Sequence, residues 1–292
     1  MQPREPSLIE DYDRYPRIEA EFQEVLDASL SPRGPDVLYQ IVGRLGLPAR
    51  ANVLDLGCGE GKHSIALAEL FGFSVRGIDP VPRHIELSNR RLEEAAGSKP
   101  ELRGLVSFAP GLAEALPIED ASVDLIWCRE VLVLVEALDE AFTECRRVLP
   151  ASGRMLIHDT FKTDKLESGA AESFAANPQR IKAVFGAAGL GADPLRIEAA
   201  FSAAGVEVED RIELSSEWGE FGQEQTGAAG RRLLHAARLL REPERYVAQF
   251  GEAAYDIMLG DRRWHVYRMI GKLTGRVYLL NVPEQGDSAT AE

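Results

Sequence analysis

Three glycines spaced two apart, Gly57, Gly59 and Gly61, close the stretch Val53-Leu54-Asp55-Leu56-Gly57-Cys58-Gly59-Glu60-Gly61, in which an apolar run ends in a glycine turn. Glycine lets the backbone adopt positive φ and lie close to a ligand, and a helix starting just beyond presents unpaired N–H groups to it. The chemistry this pattern serves is the binding of a small polar ligand. Lys62 stands where a dinucleotide-binding turn needs its third glycine, so a pyrophosphate loses one contact. A P-loop is excluded too, because Gly61-Lys62 is followed by His63 and not by Ser or Thr. Eighteen residues past Gly61 comes Asp79, in Gly77-Ile78-Asp79-Pro80. A carboxylate there can accept both hydroxyls of a ribose. Asp55, a second acid beside the loop, suits a ligand carrying an ammonium group and repels a pyrophosphate.

The elements that position these residues follow from periodicity. A strand over Asn52 to Leu56, a helix from Gly61 to Phe71 and a strand over Ser74 to Ile78 form a strand–helix–strand unit. The alternation continues with a helix from Pro82 to Ala96, strands at Leu105 to Phe108 and Val123 to Trp127, a helix with Leu138, Ala141, Phe142, Cys145, Val148 and Leu149 on one face, and a strand from Arg154 to His158. Near-continuous apolar strands need cover on both sides, so a doubly wound parallel α/β sheet with helices on both faces is expected. Before it, Leu8 to Leu30 and Asp36 to Leu45 read as amphipathic helices, the first carrying Tyr12 and Tyr15, which either pack in the core or close over a ligand. After it, Lys162 to Pro194 reads as a linker with one short helix at Arg180 to Ala188, followed by a helix from Pro194 to Ala204 and a strand near Val206 to Leu214. The spacing over Gly227 to Gly271 is helical, Arg276 to Val282 forms a last strand, and Pro283 to Glu292 is a polar tail expected to be disordered. The expected division is an N-terminal helical extension over 1–35, a main domain over 36–282 with a helical lid near 219–272, and the tail 283–292.

With these motifs in place the sequence resembles the class I S-adenosylmethionine-dependent methyltransferases of the small-molecule type. Their first motif has the pattern of Val53 to Gly61, and their second-strand acid matches Asp79. The resemblance extends through Gly111-Leu112-Ala113-Glu114-Ala115-Leu116-Pro117, Val123 to Trp127 and Arg146 to Arg154. It implies a Rossmann-like, seven-stranded, mostly parallel sheet whose last strand is antiparallel, with S-adenosylmethionine held by Asp55, Gly57, Cys58, Gly59, Gly61, Asp79, Pro80, Ala113, Glu114 and Cys128. Leu112 stands where many members place an Asp for the adenine amino group, and Val133-Leu134 where many have Glu-His. The implied reaction is an in-line displacement at the sulfonium methyl, for which positioning supplies up to roughly 7–11 kcal/mol.

Ligands in such sheets bind at the carboxyl ends of the strands. That selects His158, Asp159 and Glu130 as catalytic candidates, and Arg129, Glu217 and Trp218 as acceptor contacts. Trp264 and Tyr267 join the acceptor contacts from the cluster Trp264-His265-Val266-Tyr267-Arg268, whose aromatic lining favours an apolar or aromatic small molecule. A covalent role for Cys128 is discounted, because Trp127 precedes it where cytosine-methylating enzymes carry proline. RNA methylation, or a cofactor-binding protein with a non-methylating or scaffold role, are the alternatives.

The 292 residues include 33 Lys plus Arg against 47 Asp plus Glu, a formal charge of −14 that disfavours nucleic acid and anionic membrane as partners. Three cysteines give no disulfide framework, and five histidines show no metal-ligand spacing. No signal-peptide or membrane-spanning pattern is present, so the expectation is a cytoplasmic protein with a small-molecule substrate and no metal. The oligomeric state is not legible in the sequence.

Overall fold

The computed structural model of the chain describes residues 8–166 and 193–283. The expected short helix at Arg180 to Ala188 lies outside them, as does most of the expected tail. Two compact units are present, residues 1–32 and 33–292. In the first, helix α1 (Leu8–Leu26) ends four residues before the expected Leu30, and Tyr12 and Tyr15 are exposed, so neither packs in a core.

The second unit begins with α2 (Val37–Arg44) and continues as β1 (Asn52–Leu56), α3 (Lys62–Phe71), β2 (Ser74–Asp79), α4 (Pro82–Ala96), β3 (Val106–Pro110), β4 (Leu125–Arg129), α5 (Leu138–Val148) and β5 (Arg154–Lys162). Then come α6 (Pro194–Ala203), β6 (Glu207–Ser215), four helices α7 (Glu217–Thr226), α8 (Ala228–Arg241), α9 (Pro243–Phe250) and α10 (Glu252–Met269), and β7 (Leu273–Asn281). The seven strands form one sheet in the order β3-β2-β1-β4-β5-β7-β6, and β7 runs antiparallel to both its neighbours. This is the doubly wound, Rossmann-like arrangement expected.

Strand alternation divides the core in two. Leu125 and Trp127 of β4 face Leu38, Ile41 and Val42 of α2 together with Ile65 and Leu67 of α3 and Leu92 of α4. Ile126 and Cys128 face the other way, toward Phe142 of α5 and Phe201 of α6. Covering both faces leaves the carboxyl ends of the strands as the open edge of the sheet, where Leu56 lies level with Ile78 and Cys128, and Arg129 with His158.

Boundaries depart from expectation where tertiary contacts decide them. β4 starts at Leu125, since the Val123 N–H is taken by the carbonyl of Val148 at the end of α5 (3.0 Å). β7 starts at Leu273, three residues early, because β5 runs on to Lys162 and supplies partners for it. The helical span from Gly227 to Gly271 is broken into three at Pro243 and at Gly251, which adopts φ 82°. Proline has no N–H for the helix ladder, and such a φ favours glycine.

Candidate functional site

The glycine loop is a backbone cradle. Gly57, Gly59 and Gly61 all have positive φ, at 70°, 52° and 75°. The N–H groups of Gly57 and Cys58 both donate to the carbonyl of Ile78 (2.8 and 3.1 Å), tying the turn to the end of β2. A Cβ on Gly57 would lie 2.4 Å from Val131, and one on Gly61 2.5 Å from the Phe108 ring, so neither position has room for a side chain. A Cβ on Gly59 would meet nothing within 4 Å. The loop is therefore packed against protein at both ends and open at its middle, the shape a ligand lying on the backbone requires. Cys58 is buried, and burial next to Asp55 and Asp79 raises its thiol pKa far above the ordinary range.

Asp79 closes the cradle. One carboxylate oxygen accepts the Gly59 N–H (2.9 Å), the other accepts the Val81 N–H (2.9 Å) and lies 3.0 Å from His84 Nδ1. Pro80 beside it is exposed. Asp55 is buried and accepts the hydroxyl of Ser64 on α3, and burial raises its pKa to about 7. On the β3 side, the loop from Gly111 to Ile118 is fixed by Glu144, which accepts the Leu116 N–H (2.8 Å), and by Arg147, which donates to the carbonyls of Leu116 and Ile118. Ala113 is buried in the core, while Glu114 is half-buried and makes no hydrogen bond or ion pair among the described residues. A carboxylate at the end of β2, an open glycine turn and a free acid beyond β3 fit a nucleoside-bearing cofactor.

Beyond β4 the polar residues converge. Arg129 donates to His63 Nε2, and since a guanidinium only donates, the proton of that imidazole resides on Nδ1, 2.6 Å from the Tyr39 hydroxyl. Burial and Arg129 push the His63 pKa down to about 4, which keeps the ring neutral. Glu130 adopts φ 57°, uncommon for a side chain with a Cβ. Its N–H donates to the His158 carbonyl (2.8 Å) and its carboxylate accepts from Thr160 (3.3 Å). Burial raises its pKa, against the pull of Arg268 and Arg129. Next to these residues lies a cavity of about 750 Å³ lined from the end of β4 by Arg129 and just beyond it by Glu130, from α7 by Trp218 and Gln223, from α8 by Arg232 and Leu233, and from α10 by Trp264, His265 and Arg268. Pro35 completes that wall, because Arg33 donates a forked pair of hydrogen bonds to Glu217 at the start of α7.

The strand-end candidates divide between this cavity and the layer behind it. Arg129, Glu130, Trp218 and Trp264 line it. His158 and Asp159 do not. His158 has no exposed surface, stacks on Trp218 with ring centroids 4.2 Å apart, and is held neutral by burial. Asp159 is equally buried and accepts the N–H groups of Leu132 (2.9 Å) and Thr160 (2.8 Å), with its pKa well above the usual range through burial and the nearby Glu130. Glu217 is turned to Arg33, Tyr267 lies under the Lys272 ammonium (5.4 Å), and Cys128 is buried in the core. Periodicity did not single out Tyr39, His63, His84 or Arg232. His63, directly after Gly61-Lys62, had the one signal available, its place in the first turn of the helix that follows the glycine loop. Arg268 stood in the expected aromatic cluster without an assigned role. Among the described residues no group of acids, histidines and cysteines is placed to hold a metal ion, and no helix is long and apolar enough to cross a membrane.

Residues 54–157 match the family model described as Methyltransferase domain. The chain is 33% identical over 130 residues to Methyltransferase GfsG from Streptomyces halstedii, covering 44% of this chain and 45% of that protein. It thus spans less than half the length of that curated relative. The putative sarcosine dimethylglycine methyltransferase of Galdieria sulphuraria has a similar structure, with a TM-score of 0.63, 19% identity, and coverage of 85% of this chain and 84% of that one. A Haemonchus contortus phosphoethanolamine N-methyltransferase, solved with phosphomonomethylethanolamine and S-adenosylhomocysteine, gives a TM-score of 0.61 at 19% identity, covering 94% of this chain and 60% of that one. Residues 54–157, which run from Leu54 of β1 to Ile157 of β5 and hold the open glycine turn, are the part of this chain similar to that family, and the sheet that continues beyond them has the fold of the solved methyltransferases.

Proposed function

We propose that the protein transfers a methyl group from S-adenosylmethionine to a small-molecule acceptor with an apolar or aromatic body, bound in the cavity beside Arg129. The observation that carries this reading is Arg129 itself, which contacts His63 next to the glycine loop and also lines the cavity. One residue thus joins the cofactor cradle to the acceptor space. When bound, S-adenosylmethionine supplies an activated methyl group on a sulfonium. The chain's own residues do the positioning: Gly59 leaves the backbone open, Asp79 accepts ribose hydroxyls, and Trp218 and Trp264 present flat apolar faces to the acceptor. Glu130, its pKa raised by burial, is the group placed to take a proton where the acceptor nucleophile must lose one. His158 is a positioning residue, stacked behind Trp218.

The names of the solved relatives, with sarcosine, dimethylglycine and phosphomonomethylethanolamine, support a small acceptor. No observation favours RNA methylation or a scaffold role. The test is calorimetric titration with S-adenosylhomocysteine, followed by incubation with methyl-labelled S-adenosylmethionine and a small-metabolite extract. Saturable binding and label in a small organic product are expected. Absence of binding overturns the cofactor reading, and binding with no labelled product overturns methyl transfer.

A further inference from the structure

We infer that the acceptor carries an oxyanion, a carboxylate or a phosphate, held by Arg268 with Arg129 and Arg232 while its apolar body lies against the tryptophans. This rests on the reading of the cavity as the acceptor site. Three guanidinium groups and one carboxylate, Glu130, form the charged part of the described cavity wall. In a chain of formal charge −14 that local excess of cations is a departure from the whole. It is also poorly compensated from within. Arg268 is only 8% exposed, its Nη2 has no hydrogen-bond partner among the described residues, and its nearest carboxylate oxygen, on Glu130, is 4.0 Å away. Arg129 Nε is likewise buried without a partner, and Arg232 forms no ion pair among the described residues.

A buried cation without a hydrogen-bonded partner is costly, so its retention calls for a role outside the folded chain's own interactions. The surroundings hold the guanidinium with Nη2 sealed against Gly275 and the residue at the cavity wall. Arg268 lies 4.8 Å from the Trp264 ring centroid and 5.7 Å from that of Trp218, and Arg129 is 5.3 Å from the latter. Ring faces attract the cation and accept none of its hydrogen bonds in plane. Space for the group is provided by Gly275 on β7, where a Cβ would stand 2.8 Å from Arg268 Nη2. A guanidinium at the cavity wall, fixed by aromatic faces and without a hydrogen-bonded carboxylate of its own, matches an oxyanion such as a carboxylate or phosphate.

The test reads tryptophan fluorescence, since two of the three tryptophans line the cavity. Benzoate, phenyl phosphate and neutral benzamide are titrated at constant ionic strength, with and without S-adenosylhomocysteine. Saturable binding of benzoate or phenyl phosphate and none of benzamide is expected, and the tighter of the two identifies the anion. Arg268→Met is expected to weaken that anion about ten- to hundredfold, to leave S-adenosylhomocysteine affinity unchanged and to leave Tm unchanged or raise it. Arg232→Gln gives a second reading should Arg268→Met fail to fold, with a loss of up to about fivefold for a partly exposed contact. Equal binding of benzamide, no binding of either anion, or unchanged anion affinity in a folded Arg268→Met overturns the inference. Loss of S-adenosylhomocysteine binding in the wild-type protein instead counts against the cofactor reading, and the titrations without it still decide the anion.

Discussion

Replacing Asp79 by alanine removes the carboxylate that shapes the glycine loop and that the proposed function assigns to the cofactor ribose. An ionised carboxylate offers about four acceptor positions. In the free protein the Gly59 and Val81 N–H groups take two, and His84 stands at a third. One ribose hydroxyl can therefore be accepted without rearrangement, and a second requires His84 to give way. A hydrogen bond to a charged group contributes roughly 1.5–3 kcal/mol, so Asp79→Ala should weaken S-adenosylhomocysteine about 10- to 150-fold if one hydroxyl is held. If both are held the loss is roughly the square of that. Asp79→Asn, with one acceptor oxygen left, should fall between. His84→Ala, which frees an acceptor position on Asp79, should bind as tightly as wild type or tighter. The assay is calorimetric titration, with thermal midpoints recorded to separate lost contacts from a loosened loop. Affinity of Asp79→Ala within about threefold of wild type, with the fold intact, would refute the ribose assignment, since it leaves less than about 0.7 kcal/mol for the carboxylate.

Two further predictions concern the cradle. Gly61→Ala should lower the urea midpoint by the equivalent of about 1–2 kcal/mol for a left-handed backbone and about 1–3 kcal/mol for crowding against Phe108 and Ser88. A Phe108→Ala background should relieve only part of the crowding, and an equal cost in both backgrounds would show the contact to be irrelevant. Asp55 has a folded pKa of about 7 against about 3.9 in an unfolded chain, so the native state holds the extra proton between those values. Its contribution is therefore greatest below about pH 4 and declines as pH rises to about 7. Asp55→Asn should remove this decline, up to ~1.4 kcal/mol per pH unit, from the urea-denaturation profile. An unchanged slope would mean that Asp55 is ionised throughout.

Local pattern made the glycine-loop half of the molecule legible. The glycines at 57, 59 and 61 and the acid at 79 belong to one strand–helix–strand unit, and the register of β1 with β2 brings them together without help from distant chain. Apolar runs such as Leu125 to Cys128 could be read as doubly covered strands because burial on both faces leaves few polar residues in them. The strand ends were located as well, but not which way their side chains turn. Arg129 and Glu130 meet the cavity, whereas His158, at the same level of the sheet as Arg129, is covered by Trp218 from a helix 60 residues further along.

The sequence by itself determined the fold class, the order of the elements and the glycine cradle, because each depends on contacts within a few tens of residues and on periods of two and 3.6. Only the tertiary structure decided the cavity beyond β4. Arg33 reaches Glu217, Gly275 makes room for Arg268, and β4 faces α7, α8 and α10 across one cavity. These pairings join segments that no local pattern links, and the charge they gather around Trp218 and Trp264 arises from packing rather than from any motif.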